Sequence, residues 1–245
     1  MTKASLRIAT WNLERPTLNG WKKNPRITDK IREIDADVWI LTETNASIVP
    51  SSNRLPQVGY VPLASLPTKD LPHNLGESCT AIWSRYGIKQ AITTFEIDTA
   101  VCAEVDTPIG LMLIYGTILT YANDKGANNK SKKWEEHRKA IVDHSADWKK
   151  IATAFPSHSM CIAGDLNISF SDNYYFSEPN RQDLLGIFKA LNMVNLTADV
   201  KQNIDHIVVS QSLIGAGATS TTTWNEDKKL SDHIGICVEI TPRTQ

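Results

Sequence analysis

Asp165 and Asn167 stand two residues apart in the stretch Ala163–Asn167, AGDLN, where the apolar run Met160-Cys161-Ile162 gives out. A carboxylate can take a proton from water, and a carboxamide can hold that water without titrating, so the pair could serve a hydrolytic reaction. Turn chemistry alone also accounts for it, because Asp and Asn bond nearby backbone amides and Gly164 marks chain that turns sharply or approaches something closely. Polar groups recur at the ends of other apolar runs: Asn12 in Thr10-Trp11-Asn12, Glu43 in Leu41-Thr42-Glu43, Asp205 in Ile204-Asp205-His206, and Asp232 with His233 in Ser231-Asp232-His233. Each has an ordinary explanation by itself, as a turn cap, a solvated acid, a partner for lysine or a surface histidine. Together they are harder to dismiss, since the ends of neighbouring strands converge and gather distant residues into one pocket.

The set fits one chemistry. A hard cation such as Mg²⁺ takes oxygen ligands and is held by one or two carboxylates, with water and phosphate filling its other positions. Asn12, Glu43 and Asp232 supply such a sparse set. His233 could stabilise or protonate a phosphoryl oxygen, and Asp205 could hold its ring and raise its basicity. Asp165 is left to orient and deprotonate water, with Asn167 fixing that water or the phosphate.

The elements that must position these groups follow from hydrophobic periodicity. Strand patterns fall at Leu6–Trp11, Val38–Leu41, Cys79–Trp83, Val101–Val105, Leu111–Thr117, Met160–Ala163, Ile204–Val209, Thr219–Trp224 and Ile234–Ile240. Ile27, Ile31 and Ile34 share one helical face, and Trp134, Ile141, Trp148 and Phe155 recur at sevens along a longer helix, with Trp134 in the core. A third helix near Gln182–Leu191 is expected to be capped by Asn180 and to bury Leu184, Leu185, Phe188 and Leu191. The outcome is mixed α/β in one domain spanning 1–245, without repeats or linkers.

Composition narrows the class. With 41% hydrophobic residues, 245 residues can bury a substantial core, and a formal net charge of −1 gives no global pull toward nucleic acid or anionic lipid. The cysteines Cys79, Cys102, Cys161 and Cys237 form no C-x-x-C pair and lie in or beside apolar runs, which predicts buried, reduced thiols. No signal-peptide core precedes the first strand and no run has the ~18 apolar residues of a membrane span, so no membrane association and a cytoplasmic location are expected.

In order along the chain, ATWNLE at 9–14, DADVWILTET at 35–44, CTAIWSR at 79–85, GDLN at 164–167, IDHIVVS at 204–210 and SDH at 231–233 resemble the signatures of the endonuclease/exonuclease/phosphatase superfamily. That group includes DNase I, abasic-site endonucleases, inositol polyphosphate 5-phosphatases and bacterial sphingomyelinases. The resemblance implies a DNase I-like four-layer α/β sandwich, two packed mixed β-sheets flanked by helices. It implies metal binding by Asn12 and Glu43 with help from Asp232, water positioning by Asp165 and Asn167, and a phosphate contact from His233 paired with Asp205. One position departs from the pattern: after the strand Leu111–Tyr115, where relatives carry His or Tyr near the leaving group, Thr117 falls at or near that place. Tyr121 or Tyr115 would then reach in, or metal-bound water would protonate the leaving group.

These readings lead to a Mg²⁺-dependent phosphoesterase, with Mn²⁺ able to substitute, acting on phosphodiester bonds of DNA or RNA. Arg15, Lys22, Lys23 and Arg26 surround Trp21 in one loop, and Lys132 and Lys133 lie in a second basic segment around Trp134. Basic side chains beside an aromatic suit a phosphate backbone with stackable bases. The alternatives are a phosphatase or phosphodiesterase for an inositide, nucleotide or phospholipid head group, and a non-catalytic binding protein that keeps the fold.

Overall fold

The computed structural model describes residues 4–53, 59–65, 74–214 and 219–241. Among these described residues twelve strands form two six-stranded sheets. The first contains β1 (Leu6–Asn12), β2 (Val38–Asn45), β3 (Val61–Ala64), β4 (Glu77–Ser84), β11 (Thr219–Trp224) and β12 (Gly235–Ile240), in the order β11-β12-β1-β2-β4-β3. The second contains β5 (Ile88–Ile92), β6 (Ala100–Thr107), β7 (Gly110–Ile118), β8 (Ser159–Asp165), β9 (Met193–Asn195) and β10 (Asp205–Ser210), in the order β5-β6-β7-β8-β10-β9. Each sheet has one central parallel pair, β1 with β2 and β7 with β8, among antiparallel neighbours.

The central strands read as continuous apolar runs because both of their faces are covered. Leu6, Ile8, Val38 and Ile40 point between the sheets, where they meet Ile114, Ala163, Ile207 and Val238. The alternate residues Ala9, Trp11, Trp39 and Leu41 face outward onto helix α1 (Asn24–Ile34), which contributes Ile27, Ile31 and Ile34. The outer face of the second sheet carries Leu113, Tyr115 and Ile162 onto helices α2 (Glu135–Ala154) and α3 (Glu178–Ala190). The four layers are thus helix, sheet, sheet, helix, the sandwich expected from the resemblance. Between the sheets, a Cβ at Gly116 of β7 would lie 2.9 Å from Thr80 and 3.1 Å from Ile40, so the two layers meet there at a distance only glycine allows.

Several local expectations need correction. Asn180 does not cap α3; Ser177 holds that position with Glu178 and a proline in the first turn, and Asn180 is buried one turn further in. Leu185 is exposed, because the buried face of α3 runs through Asn180, Leu184 and Phe188. Trp134 precedes α2 at φ 71° and packs on His137 and Tyr175, so the heptad reading overran the helix start by one residue. The periodicity also missed β3 and β5, which are short and mostly exposed, and β9, which is only three residues long. All four cysteines are buried and unpaired, as expected. No helix among the described residues is long and apolar enough to cross a membrane.

Candidate active site

The register of the strands brings the polar residues to one edge of the sandwich. Asn12 ends β1 and pairs with Thr42 of β2, while Asp165 ends β8 opposite Asp205, the first residue of the antiparallel β10. Glu43 differs from the expectation of a strand end: it lies inside β2, at φ 43°. Arg15 at φ 49° and Asn167 at φ 49° share this left-handed backbone. Such conformations cost about 1–3 kcal/mol for a non-glycine residue and concentrate where a site needs side chains aimed against the run of the chain.

At the centre, Nδ1 of His233 lies 2.6 Å from Oδ2 of Asp205, so the ring N–H donates to a buried carboxylate. Its Nε2 lies 4.0 Å from Oδ2 of Asp165 and 3.7 Å from Oδ1 of the exposed Asp232. Burial works to lower the His233 pKa, but Asp205 and Asp165, with the hydrogen bond to Asp205, lift it to about 10. The imidazolium is therefore the resting form at neutral pH. Burial pushes the Asp165 carboxyl up, with Asp205 adding to the rise and His233 opposing it. Two hydrogen bonds aim that carboxyl: Asn12 Nδ2 donates to Oδ2 at 3.0 Å and the Asn167 backbone N–H to Oδ1 at 2.9 Å. Asn167 turns its own Nδ2 to the Leu119 carbonyl at 2.8 Å, which leaves Oδ1, an acceptor, for the site.

Sequence reasoning missed the residues that hold this geometry. Nε2 of His137 donates to the Leu166 carbonyl at 3.0 Å and Nε2 of His206 to the Ile168 carbonyl at 2.9 Å, so two buried rings grip the chain on either side of Asn167. Both are held below the ordinary histidine range by burial, His206 at about 4. The side chain expected to cap α3, Asn180, instead donates to Nδ1 of His137 at 2.9 Å. Ser231 Oγ donates to the Asn12 carbonyl at 2.6 Å and accepts from the His233 N–H at 3.1 Å, tying the SDH turn to the end of β1. His206 within IDH and Ser231 within SDH were the available signals. Arg85, from CTAIWSR, is buried among Asp35, Asp37, Ser52 and Tyr60, far along the chain from the site residues it was read with.

A cavity of about 510 Å³ opens on one side of this centre, lined by Arg15, Glu43, Tyr121, His144, Asp165, Asn167 and His233 among others. A second, of about 250 Å³, adjoins it and includes Tyr174, Lys228, Asp205 and Asp232. Asn167 and His233 line both. Arg15 reaches Glu43 at 3.5 Å and Glu77 at 3.4 Å. Thr117 does not serve as a substrate contact: it is fully buried under the cavity, with Oγ1 3.3 Å from Nδ1 of His144, because β7 keeps its strand pairing past this residue. Lys132 and Lys133 are exposed but line neither cavity; that place is taken by Lys139 one turn into α2, held by Glu136 at 2.6 Å and Glu135 at 3.3 Å.

Could these groups hold a metal? Glu43, Asp165, Asp205 and Asp232 set four carboxylates against His233 and Arg15, and the buried Oδ1 of Asp205 has no hydrogen-bond partner. That excess of hard oxygen donors fits a divalent cation. Ligand atoms of Asp165, Asp205 and His233 lie within 4.8 Å of one another. A hard cation takes oxygen in preference to imidazole, and Nδ1 of His233 is already bonded to Asp205, so the oxygens of Glu43, Asn12 and Asp232 stay the donor set that the resemblance implies.

Comparison with known proteins assigns the arrangement. The profile of the Endonuclease/Exonuclease/phosphatase family matches residues 9–233. The chain belongs to that family. Among solved structures, an AP endonuclease from Archaeoglobus fulgidus superimposes with a TM-score of 0.65 at 15% identity, covering 95% of this chain and 98% of the other. A 3'-5' exonuclease from Neisseria meningitidis gives 0.66 at 17% identity, over 96% and 99%. A family member from Beutenbergia cavernae gives 0.65 at 17%, over 98% of this chain and 72% of its own. A search of curated protein sequences finds no match. At these identities the likeness establishes the fold; family membership establishes a phosphoesterase-type hydrolase with a metal-compatible acidic cluster.

Proposed function

We propose that the chain is a divalent-cation-dependent phosphodiesterase. The observation that carries this reading is that His233 and Asn167 line two cavities at once. A phosphate held at His233 has room for one ester arm in each, which a diester uses and a monoester does not.

In this reading Asp165 takes the proton of the attacking water, a role suited to a carboxylate whose pKa is raised toward the working pH. Asn167, whose Nδ2 is held by the Leu119 carbonyl, accepts from that water through Oδ1 and sets its angle. His233 donates Nε2–H to a phosphoryl oxygen as negative charge accumulates, and Asp205 keeps the ring oriented and charged. Mg²⁺ or Mn²⁺ on Asn12, Glu43 and Asp232 would supply Lewis-acid stabilisation of the phosphoryl oxygens. Tyr121, 55% exposed in the wall of the larger cavity, takes the place beside the leaving group that Thr117 was expected to fill.

A nucleic acid strand is the substrate class that the names of the similar AP endonuclease and exonuclease support. A small diester is the reading that the charges favour. The cations near the larger cavity, Arg15 and Lys139, are already paired with carboxylates, and Lys132 and Lys133 stand outside it. Turnover of bis(p-nitrophenyl) phosphate, p-nitrophenyl phosphate, supercoiled plasmid and abasic duplex, each with Mg²⁺, tests both. Preference for the monoester would refute the diesterase reading, and rapid plasmid nicking beside slow small-diester turnover would restore the nuclease.

A further inference from the structure

The wall of the larger cavity formed by α2 holds a second imidazole that the mechanism above does not use. His144 is 2% exposed yet lines the cavity. Its Nδ1 is turned to β7, 3.1 Å from Tyr115 Oη and 3.3 Å from Thr117 Oγ1. Tyr115 Oη in turn lies 3.0 Å from Oδ2 of the buried Asp147, which also accepts the Phe95 N–H at 3.0 Å. The Tyr115 O–H donates to Asp147, so Tyr115 Oη is left to accept from His144. Of the two contacts to Nδ1 the shorter is the one to Tyr115 Oη, and with Nδ1 donating there Nε2 keeps its lone pair. No residue among those described bonds Nε2. Burial holds the ring neutral at any ordinary pH, with its pKa near 4.

An acceptor that meets no protein donor on a cavity wall is completed there by a ligand or by water. The charges on the cavity wall that are not taken up in ion pairs specify what kind. Glu96 and Asp143 line the same cavity, and neither takes part in an ion pair or side-chain hydrogen bond among the described residues. Anions on that wall repel a phosphate and attract a cation.

We propose that His144, with Glu96 and Asp143, forms a subsite for a primary ammonium on the leaving arm of the substrate, Nε2 accepting one N–H and the carboxylates balancing the charge. The proposal rests on the phosphodiesterase reading, and it narrows the substrate to an amino-alcohol ester of phosphate.

Binding of O-phosphorylethanolamine against ethyl phosphate, by calorimetry with Mg²⁺ present, tests it, because the two probes differ only in the ammonium. The wild type should prefer the amine by roughly tenfold or more, the worth of one charge-assisted hydrogen bond. His144→Gln, which can still offer an acceptor, should keep part of the preference, and His144→Phe should lose it. Should His144→Phe fail to fold, the exposed-side pair Glu96→Gln with Asp143→Asn carries the test, and the preference should fall severalfold and lose its dependence on salt. Equal affinities in the wild type, or a preference unchanged by both sets of substitutions, would overturn the subsite. Hydrolysis of bis(p-nitrophenyl) phosphate by the wild type judges the phosphodiesterase reading separately, since that probe carries no amine.

Discussion

Gly164→Ala should cripple the site through the backbone, without touching a reacting group. Gly164 sits at φ +136° in β8, and an alanine Cβ there would lie 2.0 Å from the Thr117 carbonyl oxygen and 3.0 Å from its carbon on the parallel strand β7. The obstacle is backbone in a central pair, so it cannot swing aside as a side chain would. The φ angle alone costs about 1–3 kcal/mol for a residue with a Cβ. With the strand displaced as well, the loss should be about 3 kcal/mol or more. For a chain of this size that corresponds to a fall in Tm of roughly 6–12 °C, readable by circular dichroism. Gly186, in the middle of α3 with nothing within 4 Å of its Cβ, is the control: Gly186→Ala should stabilise by about 0.5–1 kcal/mol. Turnover of Gly164→Ala should also fall below the folded temperature range, because the next residue is Asp165. A Gly164→Ala protein with wild-type Tm would refute the close approach of β7 and β8 and the placement of Asp165 built on it.

Hydrolysis should vanish with EDTA and return with Mg²⁺ or Mn²⁺, and Glu43→Gln should weaken metal affinity in a direct titration; full activity in chelator would remove the metal from the mechanism. Asp165→Asn should lower kcat by roughly 10²–10⁴ with little change in substrate binding. Asp205→Asn should cost less than His233→Ala, and the double variant should match His233→Ala alone, since the carboxylate acts through the ring; losses that multiply would show the two working independently. His206, held near 4 against an ordinary 6.5, stays neutral in the folded chain while the unfolded chain binds a proton below pH 6.5, so its contribution to stability is lost as pH falls through that window. At pH 5 this amounts to about 2 kcal/mol, and urea midpoints at pH 7 and pH 5 should separate by correspondingly less in His206→Gln.

What the sequence disclosed, and what it hid, follows from how each residue acts. That Asn12, Asp165, Asp205 and His233 come together was legible because they interrupt apolar strands at their ends, and a strand end has a fixed address once the sheet order is known. Glu43 was legible by type but not by place, since its left-handed backbone inside β2 has no signature in periodicity. Lys132, Lys133 and Thr117 misled for the opposite reason. Charge and spacing say that lysines are present, but not whether the helix start turns them toward the cavity, and a strand that continues one residue further buries the threonine it was expected to present. The histidines divide most sharply. His233 announces itself beside Asp232, whereas His137, His144 and His206 lie in ordinary helix and strand contexts and acquire meaning only from what their nitrogens face: two backbone carbonyls for His137 and His206, a tyrosine and an unfilled cavity for His144. Of six histidines in the chain, four surround the AGDLN corner or its cavity. Three of these are held neutral by burial and the fourth is held charged by carboxylates. The same side chain is thus pushed toward its neutral form three times and toward its charged form once around one cavity edge, and burial and partner alone set which.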